Sequence, residues 1–428
     1  PGRRRYDRGE GGTHGRLSIA TVTIAVSPET FLAIVGAAAV CGTLTAIATS
    51  RGIVVPVVVL ELLAGVLIGP QVLGLHPNGF VSFFSDLGLG LLFYFAGYEI
   101  DLQRIKGEPL RLALFGWAMS LAIAYTIGGI LATTGVVLSL LYTGSALSTT
   151  AIGTLIPILS DSGELRTRFG TYLLAAGAVG EFGPILLLTL FLSTGNIAKQ
   201  GLILIGFVAL AVSVAIFAVR SSGRALPLFE RTLETSSQLA VRWIVVLVFA
   251  LALLAWRLGL DLLLGGFAAG LITRQMIKTR EMPVFDSKLT AVAFGVFVPF
   301  FFIVSGMNLD VTALFSSASA IVKMFVFFVL FFVVRGAPAL LLYRRVLDKR
   351  ARRALALMSS TQLPLVLAIT TLARDSGHMR SSTAAALVGA AVLSTVVYPV
   401  LGLRVRHDLG PEEPPGEVAA SAAAAELA

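Results

Sequence analysis

Glu181 is a carboxylate set in the run Leu173-Leu174-Ala175-Ala176-Gly177-Ala178-Val179-Gly180-Glu181-Phe182-Gly183-Pro184-Ile185-Leu186, with about ten apolar residues on either side. A charge at that depth in a hydrophobic helix is costly and as a rule faces a cavity or a partner. Gly177, Gly180 and Gly183 let neighbouring backbone come close. Pro184 has no N–H and frees a carbonyl one turn earlier, near Gly180. A carboxylate beside loosened backbone can trade a proton for a partly dehydrated alkali cation. The plainer alternative is a structural acid paired with a basic residue. Arg335 closes a later apolar run, just before Gly336 and Pro338. It either reaches back to Glu181 or anchors its helix at the headgroups.

Two further segments carry hydroxyl clusters inside apolar runs. One is Ala146-Leu147-Ser148-Thr149-Thr150-Ala151-Ile152-Gly153-Thr154-Leu155-Ile156-Pro157, and the other Ala356-Leu357-Met358-Ser359-Ser360-Thr361-Gln362-Leu363-Pro364. Hydroxyls can satisfy backbone freed by a helix break. Each segment is followed, one span later, by a Gly/Ala-rich helix containing Pro: the Glu181 helix with Pro184, and the run from Gly389 to Pro399. Paired broken helices in corresponding halves point to a transporter built from inverted repeats, with its site where they cross. Ser, Gly and Ala are also common in packed membrane helices, so the echo alone is a weak sign. Glu61, in Pro56-Val57-Val58-Val59-Leu60-Glu61-Leu62-Leu63-Ala64-Gly65, either lines a proton path or is a structural hydrogen-bonding residue. Lys323 lies close enough to a span end to snorkel. Asp86, Glu99, Asp101, Asp261 and Asp310 fall near span ends and read as interfacial.

The elements that must hold these residues are membrane helices. The chain has 428 residues, 56% of them hydrophobic and only 13% charged, about half the charge of a soluble domain. At roughly 20 apolar residues per crossing, thirteen spans are predicted: 28–50, 53–69, 79–100, 110–134, 136–159, 169–193, 200–220, 237–256, 259–276, 289–307, 312–334, 352–373 and 381–402. Lys and Arg flanking the loops after odd-numbered spans number 22, against 9 on the other side, five of them in the N-terminal tail. The basic excess marks the cytoplasmic face, so the N-terminus is expected outside and the C-terminus in the cytoplasm of a cell-membrane (inner-membrane) protein. The net charge of +9 is then a topology signal, and no nucleic-acid partner is expected. The single Cys41 excludes an internal disulfide and any multi-cysteine metal site. Residues 1–27 and 408–428 read as disordered tails around a membrane domain at 28–407, with no soluble regulatory domain in the chain.

In their order and spacing these segments resemble the cation:proton antiporter-2 family, which contains sodium/proton and potassium-efflux antiporters. The likeness runs from about residue 30 to 402. It is carried by Glu61–Pro70, by Asp86-Leu87-Gly88 through Gly97-Tyr98-Glu99-Ile100-Asp101, by Ala146–Ala151 with Gly163–Arg168, and by Phe300–Asp310. The resemblance implies an all-α fold of about 13 helices with inverted repeats: a core domain with two crossing broken helices, and a dimerisation domain. It implies a homodimer. The family's essential Asp falls on Glu181, the polar residue before it on Gly180, and its basic partner on Arg335. The crossing falls on Thr149–Thr150 and Thr361–Gln362, where the family's frequent Gly-Glu-Phe is replaced by Thr361-Gln362-Leu363.

The expected function is therefore exchange of sodium or potassium for protons at Glu181, with Thr149, Thr150, Thr361 and Gln362 as further ion-site residues and Arg335 as a fixed counter-charge. With one titrating carboxylate, one-for-one electroneutral exchange is the simplest scheme. No cofactor beyond the carried ion and proton is expected, and no enzymatic activity. The competing readings are a gated cation-efflux channel, a non-transporting sensor of the same fold, and a membrane enzyme. The channel would want charge rings or a repeating filter and the enzyme paired acids or histidines; the sequence displays only isolated charges.

Overall fold

The computed structural model describes residues 28–51, 56–191, 197–233, 235, 237–260, 262–277, 283–315 and 318–407. The two tails and Asp261 lie outside them. Among the described residues the regular structure is helical throughout. Thirteen spans follow in order: α1 (Pro28–Ser50), α2 (Val57–Ile68), α3 (Gly79–Tyr98), α4 (Glu108–Thr133), α5a and α5b (Leu140–Leu147, Ile152–Asp161), α6 (Arg168–Phe191), α7 (Ile197–Leu233), α8 (Leu239–Arg257) and α9 (Leu262–Ile277). Then come α10 (Pro283–Val292, a π-helical turn Ala293–Phe297, Val298–Met307), α11 (Ala318–Phe331, a π-helical turn Phe332–Gly336, Ala337–Leu342), α12a and α12b (Lys349–Ser359, Pro364–Asp375) and α13 (Ser381–His407). Backbone groups in hydrocarbon must be satisfied internally, which is why every apolar run becomes a helix. The two breaks lie at 148–151 and 360–363.

Three spans differ from the sequence expectation. α7 continues to Leu233, past the fall in hydropathy at Arg220. α10 begins at Pro283, and α11 is shifted toward the C-terminus. Hydropathy marks where a helix leaves the lipid, whereas backbone hydrogen bonding carries it on into the polar region.

The helices divide into two bundles. In one, α2 crosses α10 where a Cβ on Gly65 would strike the carbonyl of Ile303 and one on Gly306 that of Leu62. Two of the segments singled out in the sequence are thus the two halves of one close helix crossing. α3 packs on α9 in the same way, through Gly97 and Gly270. The other bundle contains the broken helices α5 and α12 with α6, α11 and α13.

Contacts between loops show which connections share a face. Arg104, after α3, donates to the Leu165 carbonyl after α5b, and Arg274 in α9 pairs with Asp101. On the opposite face Arg380, after α12b, donates to the Gly135 carbonyl after α4. Odd connections meet odd and even meet even, as alternating crossings require.

On the odd face Arg406, near the end of α13, is 2% exposed. It forms a two-pronged pair with Glu164, at 2.8 Å from Nε and 2.9 Å from Nη2, and its guanidinium lies 4.8 Å from the Phe169 ring centre. This explains the polar Gly163–Arg168 loop: it ties the first repeat to the last helix. Removing one member of a buried pair strands the other, at a cost of about 3 kcal/mol. Glu164→Ala should therefore lower the melting temperature of the detergent-solubilised protein, and an unchanged melt would show that the pair contributes nothing.

Candidate functional site

Pro184 lies inside α6, so the carbonyl of Gly180 has no intrahelical donor. It accepts the N–H of Thr150 from the α5 break at 3.1 Å. The next residue, Glu181, accepts the N–H of Ile152 on Oε2 at 3.2 Å. Ile152 is the first residue of α5b, so the carboxylate sits at a helix N-terminus, where unpaired N–H groups and the helix dipole favour negative charge. Its neighbours fix how it points. Phe182 stacks on Phe267 of α9 with ring centres 4.4 Å apart, and Gly183 leaves room for the Trp117 ring from α4. Glu181 is 3% exposed.

The second break is serviced by α13 in the corresponding way. Gln362 N–H donates to Ser394 Oγ at 2.9 Å, and the Gln362 carbonyl accepts from Ser394 Oγ and Thr395 Oγ1 at 3.0 and 3.1 Å. The two breaks are joined to each other. Ala151 N–H donates to the Thr361 carbonyl at 2.8 Å, Thr149 Oγ1 to Gln362 Oε1 at 2.8 Å, and Gln362 Nε2 to the Leu147 carbonyl at 3.2 Å. Thr361 Oγ1 is buried and has no hydrogen-bond partner among the described residues. A buried hydroxyl of that kind wants an occupant.

Arg335, in the π-helical turn of α11, is 4% exposed. Nε donates to Thr150 Oγ1 at 2.8 Å, Nη1 to Ser120 Oγ at 3.3 Å and Nη2 to the Ala176 carbonyl at 3.0 Å. Thr150 in turn donates to the Ser359 carbonyl at 2.6 Å. Among the described residues no ion pair within 4.0 Å joins Arg335 to Glu181. The guanidinium instead occupies the space that a side chain at Gly180 would fill: a Cβ there would strike Arg335 Nη2 and crowd Thr150 Oγ1. The positive charge is braced against the turn of α6 that precedes Glu181.

The structure thus brings Glu181, Thr149, Thr150, Thr361, Gln362 and Arg335 together. Glu61 is elsewhere. It is 4% exposed and lines a separate cavity of about 360 Å³ between α1, α2 and α10, with Val57, Gly295 and Pro299. Ser120, Ser359, Ser394 and Thr395 complete the polar network. Ser359 lies in the second hydroxyl cluster and Ser394 and Thr395 in the Gly389–Pro399 run read from sequence, though none was read as a site residue, and Ser120 was not singled out. Their signal is spacing: Ser394 lies 32 residues after Gln362, close to the 29 that separate Ile152 from Glu181.

Two cavities approach the crossing from opposite faces. One of about 370 Å³ on the even face is lined by Asp86, Asn308, Asp375 and Leu365, which follows the second break. One of about 210 Å³ on the odd face is lined by Glu99, Asp101, Arg274 and Ile152, whose N–H holds Glu181.

Residues 36–402 match the family model described as "Sodium/hydrogen exchanger, transmembrane". The chain belongs to that family, the monovalent cation:proton antiporters. Among relatives of this exchanger-family chain, the putative Na(+)/H(+) antiporter YjbQ of Bacillus subtilis is 24% identical over 384 residues, covering 84% of this chain and 60% of YjbQ. The Na(+)/H(+)-K(+) antiporter GerN of Bacillus cereus is 28% identical, over 59% of this chain and 65% of its own. The K(+)/H(+) antiporter 1 of Saccharomyces cerevisiae is 27% identical over 60% of this chain and 33% of its own. The chain thus spans about 60% of the length of YjbQ. The sodium proton antiporter MjNhaP1 of Methanocaldococcus jannaschii has the same fold, with a TM-score of 0.59 at 17% identity, covering 90% of this chain and all of that one. In this exchanger-family fold the two breaks cross within the membrane and Glu181 lies beside their junction.

Proposed function

We propose that the protein is a multi-pass cell-membrane transporter that exchanges sodium or potassium for protons, with Glu181 carrying either the cation or the proton. The single observation that carries this reading is a lone acid on the N-terminus of α5b, reached from the odd-face cavity through one residue, Ile152. The carboxylate can hold H⁺ or a cation, not both. Thr361 Oγ1 and the loosened backbone of the breaks supply oxygens to replace part of a cation's hydration shell. Arg335 keeps its charge throughout and offsets that of Glu181 without bonding to it. Rocking of the bundle that holds the crossing against the other exposes Glu181 to one face and then the other. The odd, basic face is cytoplasmic, the N-terminus is outside, and the protein works as a homodimer in lipid. Its cycle moves ions and makes or breaks no covalent bond other than to the proton.

The charge count favours an electroneutral cycle. The site binds one monovalent cation or one proton, so both loaded states carry the same net charge. In proteoliposomes holding a pH gradient, external lithium, sodium, potassium or rubidium is added in turn and dissipation of the gradient is followed. At least one cation should dissipate it. The rate should be unchanged when potassium and valinomycin impose a membrane potential. No response to any cation would end the exchange reading, and a potential-dependent rate would end the one-for-one scheme.

A further inference from the structure

Glu99 follows the last residue of α3, on the wall of the odd-face cavity that faces Ile152 across the two bundles. It has no role in the exchange scheme, and its environment is unfavourable for a purely structural acid. Its Oε2 is sealed from solvent and has no hydrogen-bond partner among the described residues. It sits at a helix C-terminus, where the dipole disfavours negative charge. Glu99 itself is part-exposed and lines the cavity, so the carboxylate meets the cavity while one of its oxygens stays buried and unpaired, which is costly to keep.

The cations nearby are bonded to other groups. Arg274 pairs with Asp101 at 3.6 Å. Arg104 donates to Thr171 Oγ1 at 3.1 Å and to the Leu165 carbonyl at 2.5 Å. Asp101 also caps the next helical turn through the N–H groups of Gln103 and Arg104, and the hydroxyl of Tyr98 donates to Asp286. Every other charged group lining this cavity therefore has a partner in the protein, and Glu99 Oε2 does not.

We infer that Glu99 is an outer binding site for a monovalent alkali cation, which it holds in the odd-face cavity before the ion passes Ile152 to Glu181. The cavity, about 210 Å³, has room for a cation that keeps several waters. Glu99 raises the local cation concentration at the mouth of the inner site, as a fixed charge in a low-dielectric cleft does. Transfer to Glu181 exchanges one carboxylate for another around the same ion, and no bond to carbon changes. The ion enters between the two bundles, on the surface along which they slide.

This rests on the exchange reading, and the test separates the two. Uptake of sodium and of potassium is measured in proteoliposomes with the odd face outward, for the wild type and for Glu99→Gln, Glu99→Asp and Glu181→Gln. Glu99→Gln should raise the apparent KM for the carried cation about tenfold, a factor within the usual range for one lost charge contact, and keep Vmax within about twofold. Glu99→Asp should recover most of the affinity. An unchanged KM, or a fall in Vmax with KM constant, overturns the inference. Uptake by Glu181→Gln equal to wild type would instead overturn the exchange reading, whatever Glu99 does. If Glu99→Gln does not fold, Glu99→Cys in a Cys41→Ser background gives a second route. Labelling with a sulfonate-bearing methanethiosulfonate should lower KM toward wild type, and a neutral reagent should not. Equal effects of the two reagents also overturn the inference.

Discussion

Replacing Glu181 by Gln is expected to reduce cation-dependent proton movement to the level of empty vesicles, while the purified protein melts as the wild type does. Gln keeps the shape of the side chain and an oxygen that can accept the Ile152 N–H, whose bond to Glu181 is 3.2 Å long. It loses the one property the cycle needs, a negative charge that a proton can cancel. The helix N-terminus loses a favourable charge, but a neutral group is cheaper to bury than an ion. The two effects oppose each other, so stability should change by no more than about 1 kcal/mol. Paired measurements of pH-gradient dissipation and thermal unfolding check both halves. Exchange retained in Glu181→Gln would sink the site assignment. A loss of exchange together with a collapsed melt would make Glu181 a folding residue instead.

The second large effect belongs to Arg335. Truncation to Leu removes three hydrogen bonds at once and leaves Ser120 Oγ and the Ala176 carbonyl without their donor. It also removes the fixed positive charge from a site that keeps its carboxylate. The expected loss is about 3 kcal/mol of stability, with exchange abolished. Arg335→Lys should recover the charge but only part of the stability, because an ammonium cannot serve three acceptors spread in the guanidinium plane. Gly180→Ala acts from the other side. Its methyl pushes the guanidinium off the α6 turn, at an overpacking cost of about 1–2 kcal/mol. A ranking of melting temperatures with wild type highest, Gly180→Ala and Arg335→Lys between, and Arg335→Leu lowest is the expected result. Equal stability of Arg335→Leu and wild type would mean that the guanidinium does not brace the crossing.

The scaffold was legible from sequence because membrane burial acts on one variable. Each of the thirteen apolar runs became a helix or a pair of half-helices, and the two hydroxyl-bearing segments with Gly or Pro became the two breaks. Pro184 gave the open carbonyl, and Gly180 O receives Thr150 N–H. Partners were not legible. Arg335 could be read as reaching Glu181 or the headgroups, but it donates to Thr150, Ser120 and Ala176. That choice depends on how α11 docks against α4 and α6, which no local pattern encodes. Glu99 read as interfacial because it ends its span. Its depth comes from α9 and the α5b–α6 region closing around that end, a tertiary effect. Glu61 shows the reverse problem, since its mid-span position said nothing about which cavity it would line.

The space at Gly180 imposes an order on how this site can change over time. An acidic residue there would need room that the guanidinium now fills, and once admitted it would bond to that cation and not act as an independent titrating group. A lineage adding a second titrating acid here would have to shorten Arg335 in the same step. The two positions are therefore epistatic, and either change alone should be selected against while the pair is tolerated.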